Sequence, residues 1–146
     1  VLRGQAAKII VNAAGFADVI PSTQQTFTDV PYGNPFWLYI ERAVAHGVVG
    51  GYTSSPPCTT GTPCFLPYNP VTRGQLAKMD SNAAGYNDVP SPGQQAFADV
   101  PPTDPFYLYS QRLARRDIGS GYDCGTGYIT PCTGLVERGD SSSRPY

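Results

Sequence analysis

Charge is scarce in this sequence. Asp, Glu, Lys and Arg make up 14% of it, against about 25% in an average soluble domain. The formal net charge is −1, and no basic stripe or long charge run is present. Binding to nucleic acid or to an anionic membrane by bulk electrostatics is therefore not expected. No apolar run approaches the ~20 residues of a membrane span. His46 is the only histidine, there is no Asn-x-Ser/Thr acceptor for N-glycosylation, and neither a nucleophile–base pair nor a Gly-rich phosphate loop is visible. No cofactor is expected. The opening Val1-Leu2-Arg3-Gly4 does not read as a secretory signal, so any export signal is expected to have been removed or never to have been in this chain.

Glycine and proline are plentiful instead, 16 and 15 of 146 residues, which predicts long loops between short regular elements. The 4 cysteines fall in two local pairs. Cys58 and Cys64 flank Thr-Thr-Gly-Thr-Pro, and Cys124 and Cys132 flank Gly-Thr-Gly-Tyr-Ile-Thr-Pro. Four cysteines allow three connectivities, and confinement of each pair to one loop favours 58–64 and 124–132. The competing zinc reading wants tighter cysteine spacing or several histidines. Each short loop would gain about 2–3 kcal/mol from closure on the chain-entropy account. Disulfides in turn imply an oxidising, extracellular setting.

The sequence repeats itself. Residues 1–52 align with 71–122 without a gap, and 25 of the 52 positions are identical. Val1-Leu-Arg-Gly-Gln-Ala-Ala-Lys8 corresponds to Val71-Thr-Arg-Gly-Gln-Leu-Ala-Lys78, and Phe27-Thr-Asp-Val-Pro31 to Phe97-Ala-Asp-Val-Pro101. A third, decayed copy starts at Val136-Glu137-Arg138-Gly139-Asp140. Each copy reads as two helices and a loop. Leu2, Ala6, Ile9, Ile10 and Ala13 recur at helical spacing, with Gly15 placed to end the helix. Phe36, Ile40, Ala43, Val44 and Gly47 mark the other helix, which Asn34-Pro35 opens with a capping residue and a proline. Its copy starts at Asp104-Pro105. The Phe-x-Asp-Val-Pro segments are expected to be extended, with Asp29 and Asp99 bonding nearby amides in a turn. A helical hairpin this small needs neighbours, so the repeats are expected to stack.

The order Phe27-x-Asp29-Val30-Pro31, an aromatic-led helix, Gly50-Gly51-Tyr52, Phe65-x-Pro67 and Thr72-Arg73-Gly74-Gln75 resembles the S-layer homology repeat of bacterial cell-surface proteins. The resemblance covers nearly the whole chain. It implies a mainly α fold of tandem helix–loop–helix repeats, with long disulfide-bearing loops and little strand. It also implies an extracellular, cell-surface location and, in the family, attachment to cell-wall polysaccharide. The family's glycan-contacting arginine falls on Arg3, Arg73 and Arg138. Where family members read Thr-Arg-Ala-Glu, this chain has Leu2-Arg3-Gly4-Gln5 and Thr72-Arg73-Gly74-Gln75. On this reading 1–16 is the second half of a split repeat, 17–86 a complete repeat, and 87–146 a repeat with a truncated second half. The two partial units suggest a homopolymer, the tail of one subunit (Phe97 to about Val136) packing with the 1–16 helix of the next; a piece of a longer protein with more repeats is the plainer alternative. The assembly face would then be Leu2, Ala6, Ile9 and Ile10, since a heterologous contact of this kind builds open filaments.

His46 is replaced by Arg116 in the second copy, which points to a solvent-facing position rather than catalysis. Asp29 and Asp99 sit at equivalent turns of separate copies, so a structural role is favoured over paired carboxylates for glycoside hydrolysis. Arg138-Gly139-Asp140 spells an integrin-recognition tripeptide, yet descent from the repeat accounts for it. Trp37 and Tyr107 fall out of the apolar phase, and packing or subunit contact is favoured for them over stacking on a sugar. Thr53, Ser54, Ser55, Thr59, Thr60 and Thr62 give their loop the composition of an O-glycosylated segment. The function expected is a non-catalytic structural subunit assembling head to tail, with a polysaccharide-binding anchor as the alternative.

Overall fold

A computed structural model describes residues 1–91, 93–123 and 141–142. These include four helices, α1 (Arg3–Ala13), α2 (Trp37–Ala45), α3 (Arg73–Ala83) and α4 (Tyr107–Ala114). The two-residue strands β1 (Tyr122–Asp123) and β2 (Ser141–Ser142) pair antiparallel. The chain is thus mainly helical. Cys124, Cys132, Arg138 and the third-copy motif at 136–140 lie outside the described residues. Two compact units are drawn: residues 1–71 with 82–85, and residues 72–81 with 86–146.

The Arg-Gly-Gln motifs open α1 and α3 for reasons of capping and fit. The backbone N–H of Leu2 donates to Gln5 Oε1 at 2.9 Å. Thr72 N–H does the same to Gln75 Oε1 at 3.2 Å, and Gln75 N–H returns a bond to Thr72 Oγ1 at 3.2 Å. That reciprocal arrangement is a capping box. Glutamine suffices for it, so no acidic residue is needed at that position. The glycine is required by packing. A Cβ on Gly4 would lie 2.5 Å from a ring carbon of Phe36, and one on Gly74 2.5 Å from the same carbon of Phe106.

In the first unit α1 packs on α2. The interior is built from Ala7, Ile10 and Val11 of α1, Trp37, Ile40 and Ala43 of α2, and Phe27, Val30, Val48 and Phe65 from the connections. Asn34 shapes the turn that leads into α2, its Oδ1 accepting from Phe36 N–H at 2.9 Å, but the N-cap position itself falls on Phe36, which has no side-chain cap, so Asn34-Pro35 lies just outside the helix it was expected to open. Asp104 does the same for Phe106 at 2.7 Å. Glu41 is completely buried yet fully engaged. Its carboxylate accepts from Thr26 N–H (2.8 Å), Thr26 Oγ1 (2.7 Å) and Gln24 Nε2 (2.9 Å). Those three donors are what make a buried acid tolerable.

The Phe-x-Asp-Val segments are turns rather than the extended stretches expected. Val30 N–H donates to Phe27 O at 3.1 Å, and Val100 N–H to Phe97 O at 3.2 Å. Proline restricts only the residue before it, so the segment upstream is free to fold back.

All four helices stop in the same way. At the end of α2, Gly47 N–H donates to Val44 O and Val48 N–H to Ala43 O, the paired bonds of a Schellman motif. Gly15 and Phe16 repeat this after α1, and Gly85 and Tyr86 after α3. After α4 the same bonds come from Asp117 N–H to Ala114 O and Ile118 N–H to Leu113 O. The left-handed residue there is Asp117, φ 55°, where α2 has Gly47, φ 66°. An L-residue pays about 1 kcal/mol for that conformation. Asp117→Gly is therefore expected to stabilise the chain by about 0.5–1 kcal/mol, read as a rise in the urea midpoint at unchanged m-value.

Candidate functional site

The site positions named by the sequence separate into an interior clamp in the first unit and an open cavity in the second. Arg3 is the first residue of α1, and its side chain turns inward. It is 7% exposed. Nε donates to Phe65 O at 2.8 Å and Nη1 reaches Tyr52 Oη at 3.5 Å. The guanidinium carbon lies 4.6 Å from the Phe65 ring centroid and 5.0 Å from that of Tyr52. Burial pushes the Arg3 pKa below its ordinary value, while Tyr52 and Asp29 act the other way.

Asp29 completes the clamp from across the strand-like Phe65 segment. Its two oxygens accept from Phe65 N–H at 2.8 Å and Leu66 N–H at 2.7 Å. The partners are thus distant in sequence, not the nearby amides expected. The disulfide loop is fastened beside it. Cys58 and Cys64 are bonded and buried, Tyr52 and Cys64 exchange backbone bonds, and Thr28 N–H and Oγ1 both reach Pro63 O. Thr53, Ser54, Ser55, Thr59, Thr60 and Thr62 all lie exposed on this loop.

In the second unit Arg73 takes a different partner, donating from Nη2 to Ser120 O at 2.7 Å. It lines a cavity of about 390 Å³ together with Asp80, Asp99, Asp104, Phe106 and Leu113. Burial raises the pKa of Asp80. An arginine and three carboxylates over an apolar floor make a pocket of a size that small ligands and sugar units occupy.

The two aromatics proposed as contacts have structural duties. Trp37 is 6% exposed, a departure from its place off the apolar phase. Tyr32 packs edge-on against it at 4.8 Å, and its Nε1 donates to Gln24 O at 2.9 Å. Tyr107 is only partly exposed, its hydroxyl 3.4 Å from Gln94 O, the equivalent carbonyl. The expected assembly residues do not share a face. Ala6 and Ile10 are buried in the interior of the first unit, Leu2 is partly exposed, and Ile9 is 61% exposed. The helix turns about 100° per residue, and with Ala7, Ile10 and Val11 committed to the core Ile9 is left on the far side, two steps or about 160° from Val11.

His46 is exposed as expected, but it is engaged. Its ring stacks on Phe16 at 3.7 Å, and Nε2 lies 2.7 Å from Asp18 Oδ2. Arg116 replaces it in the second unit, over the Tyr86 ring at 3.9 Å and 2.8 Å from Asp88. The hydrogen bonds to His46 and Arg116 hold Asp18 and Asp88 below the ordinary carboxylate range. Glu41, Tyr52 and Phe65 were not singled out from sequence as site residues. Tyr52 and Phe65 left traces there, the first recurring as Gly51-Tyr52 and Gly121-Tyr122, the second within the Phe65-x-Pro67 motif.

Residues 26–77 match the family model of the S-layer homology domain. No curated protein matches the chain. The matched span contains Asp29, Glu41, Tyr52, Phe65 and Arg73. S-layer homology domains are non-catalytic modules of cell-surface proteins. Among the described residues, no helix is long and apolar enough to cross a membrane.

The clamp makes a definite claim about Arg3. Arg3→Met keeps the side-chain length but leaves Phe65 O without its donor and strips the rings of their cation. It is expected to cost about 2–3 kcal/mol. Arg73→Met, at a less buried position, is expected to cost less than half of that. Parallel urea unfolding of the two variants checks both.

Proposed function

We propose that this chain is a structural, non-catalytic module of the cell surface, a tandem array of S-layer-homology-type repeats that assembles head to tail into a layer or filament. The observation that carries this reading is a mismatch between equivalent positions. Ile9 of α1 is 61% exposed, whereas Met79, its counterpart in α3, is 5% exposed. A single exposed apolar side chain is ordinary on a protein surface; what supports a neighbour here is that the equivalent position in the other copy is buried. The clamp supports the same reading, because Arg3, Asp29 and Glu41 spend their polar atoms on holding the unit together. O-glycans on the exposed threonines and serines of 53–62 would leave the helical faces clear.

The test is light scattering with negative-stain electron microscopy over a range of protein concentrations. Ordered assemblies that grow with concentration are expected. A species that remains monomeric at the highest concentration overturns the reading.

A second reading, a cell-wall polysaccharide anchor, is favoured by the Arg73 cavity and by the family match. It places a sugar unit against Phe106, with Arg73 and the carboxylates of Asp80 and Asp99 on its hydroxyls. On that reading the chain co-sediments saturably with purified wall polysaccharide, and Arg73→Ala weakens binding at least tenfold while Arg3→Ala acts only through stability. Equal binding by Arg73→Ala and wild type removes it.

A further inference from the structure

Within the second unit, the two copies diverge most in chemistry at the cavity lined by α3 and α4. By the repeat alignment Asp80 stands where α1 has Ile10, and Ser110 where α2 has Ile40. In the first unit those two isoleucines are core, 7% and 0% exposed. Both replacements line the cavity of about 390 Å³ in the second unit. Two branched hydrocarbon side chains have thus become a carboxylate and a hydroxyl on one cavity wall. Leu113, in place of Ala43, and the Phe106 ring keep the remainder of that wall apolar.

The protein satisfies neither new polar group. Ser110 is 9% exposed, and its hydroxyl has no hydrogen-bond partner among the described residues. Asp80 makes neither a hydrogen bond nor an ion pair among them, and burial alone acts on its carboxyl, pushing the pKa up. Polar groups withdrawn from water without a partner are costly, and isoleucine at both positions shows that the fold does not require them. A partner from outside the chain accounts for both. Its charge follows from the wall. Asp80, Asp99 and Asp104 line the cavity, and Arg73 is the one cation among the described lining residues. Arg73 already donates to Ser120 O at 2.7 Å. An anion would meet an excess of carboxylates there, whereas a cation is matched.

We propose that this cavity binds an amino sugar by its free ammonium group, with Asp80 as the counter-ion and Ser110 Oγ bonded to a sugar hydroxyl. The apolar face of the sugar lies against Phe106. A cavity of this size, apolar with a few placed polar groups, is the usual make-up of a small-ligand site. The first unit offers no equivalent, because Ile10 and Ile40 fill the corresponding place. The proposal rests on the polysaccharide-anchor reading and narrows it to a sugar that carries a primary amine.

The test titrates the full-length chain with glucosamine, N-acetylglucosamine and glucose by isothermal calorimetry, beside Asp80→Asn and Ser110→Ala. Glucosamine is expected to bind at least about tenfold more tightly than the two sugars that lack its charge, the worth of one charge-assisted hydrogen bond. Asp80→Asn keeps the side-chain size and is expected to erase that preference. Ser110→Ala is expected to weaken glucosamine by about three- to tenfold, as loss of one neutral hydrogen bond does. Asp80→Ile restores the residue of the first copy, and is expected to keep the wild-type far-ultraviolet circular dichroism while losing glucosamine binding. Equal affinity for the three sugars, or a preference for glucosamine that survives Asp80→Asn, overturns the proposal. Absence of glucosamine binding overturns it too. Co-sedimentation with wall polysaccharide then separates the two ideas: protein that still pellets leaves the anchor reading standing, and protein that stays in solution removes both.

Discussion

The first unit depends on how three separated segments meet at Phe65. Asp29, from the turn before α2, accepts the amides of Phe65 and Leu66, while Arg3, from the start of α1, donates to the carbonyl of the same Phe65. Phe65 thus has both its backbone N–H and its C=O satisfied by side chains from remote parts of the chain, with its ring in the core. Leaving either group buried and unbonded would cost about 1–3 kcal/mol. The arginine is tolerable inside because two rings and a carbonyl replace its water, with the Asp29 charge nearby. The disulfide beside it closes the Cys58–Cys64 loop before the chain reaches Phe65, so the covalent and the polar constraints act on adjoining residues.

Much of this was legible in the sequence because the repeat states each rule twice. Helix positions, the Asn34 and Asp104 turns and the Cys58–Cys64 bridge follow from local chemistry: such a side chain reaches the amide two residues on, and the bridge spans six. What could not be read was long-range. Asp29 carries a turn-forming side chain, and local propensity assigned it a local partner. Its real partners are 36 and 37 residues away. Trp37 was misplaced by periodicity because an indole with a carbonyl acceptor at Gln24 is comfortable inside. Ile9 and Ile10 illustrate the same limit. Adjacent residues can share a buried stripe, as Ile10 and Val11 do, and only the packing of α1 on α2 centres that stripe so that Ile9 falls outside it.

The differences between the copies are paired, and the pairs obey electrostatics. Thr26 and Glu41 become Ala96 and Gln111. Removing the threonine hydroxyl removes one of three donors to the buried carboxylate, and the charge leaves with it. Gln111 Oε1 still accepts from Ala96 N–H at 3.0 Å, so the backbone connection survives. The cost is a buried Nε2 with no partner among the described residues. That is a smaller penalty than an ionised carboxylate short of donors would incur. Phe16, Asp18 and His46 become Tyr86, Asp88 and Arg116 in the same spirit. A ring, a carboxylate and a cationic or protonatable group keep their positions while their identities change.

Geometry, then, is what the two copies share, and exposure is what distinguishes them. Val48 and Ile118 are near-isosteric apolar residues at the same point of the same turn, held by the same backbone bond to the helix before them. Met79 and Ile9 are likewise comparable in size and equivalent in register. Neither chain conformation nor residue chemistry explains why one member of each pair is buried and the other is half or more in water. The hydrophobic cost of that exposure scales with the area left in water, so the two copies share a backbone design while differing in how much apolar surface they leave to solvent.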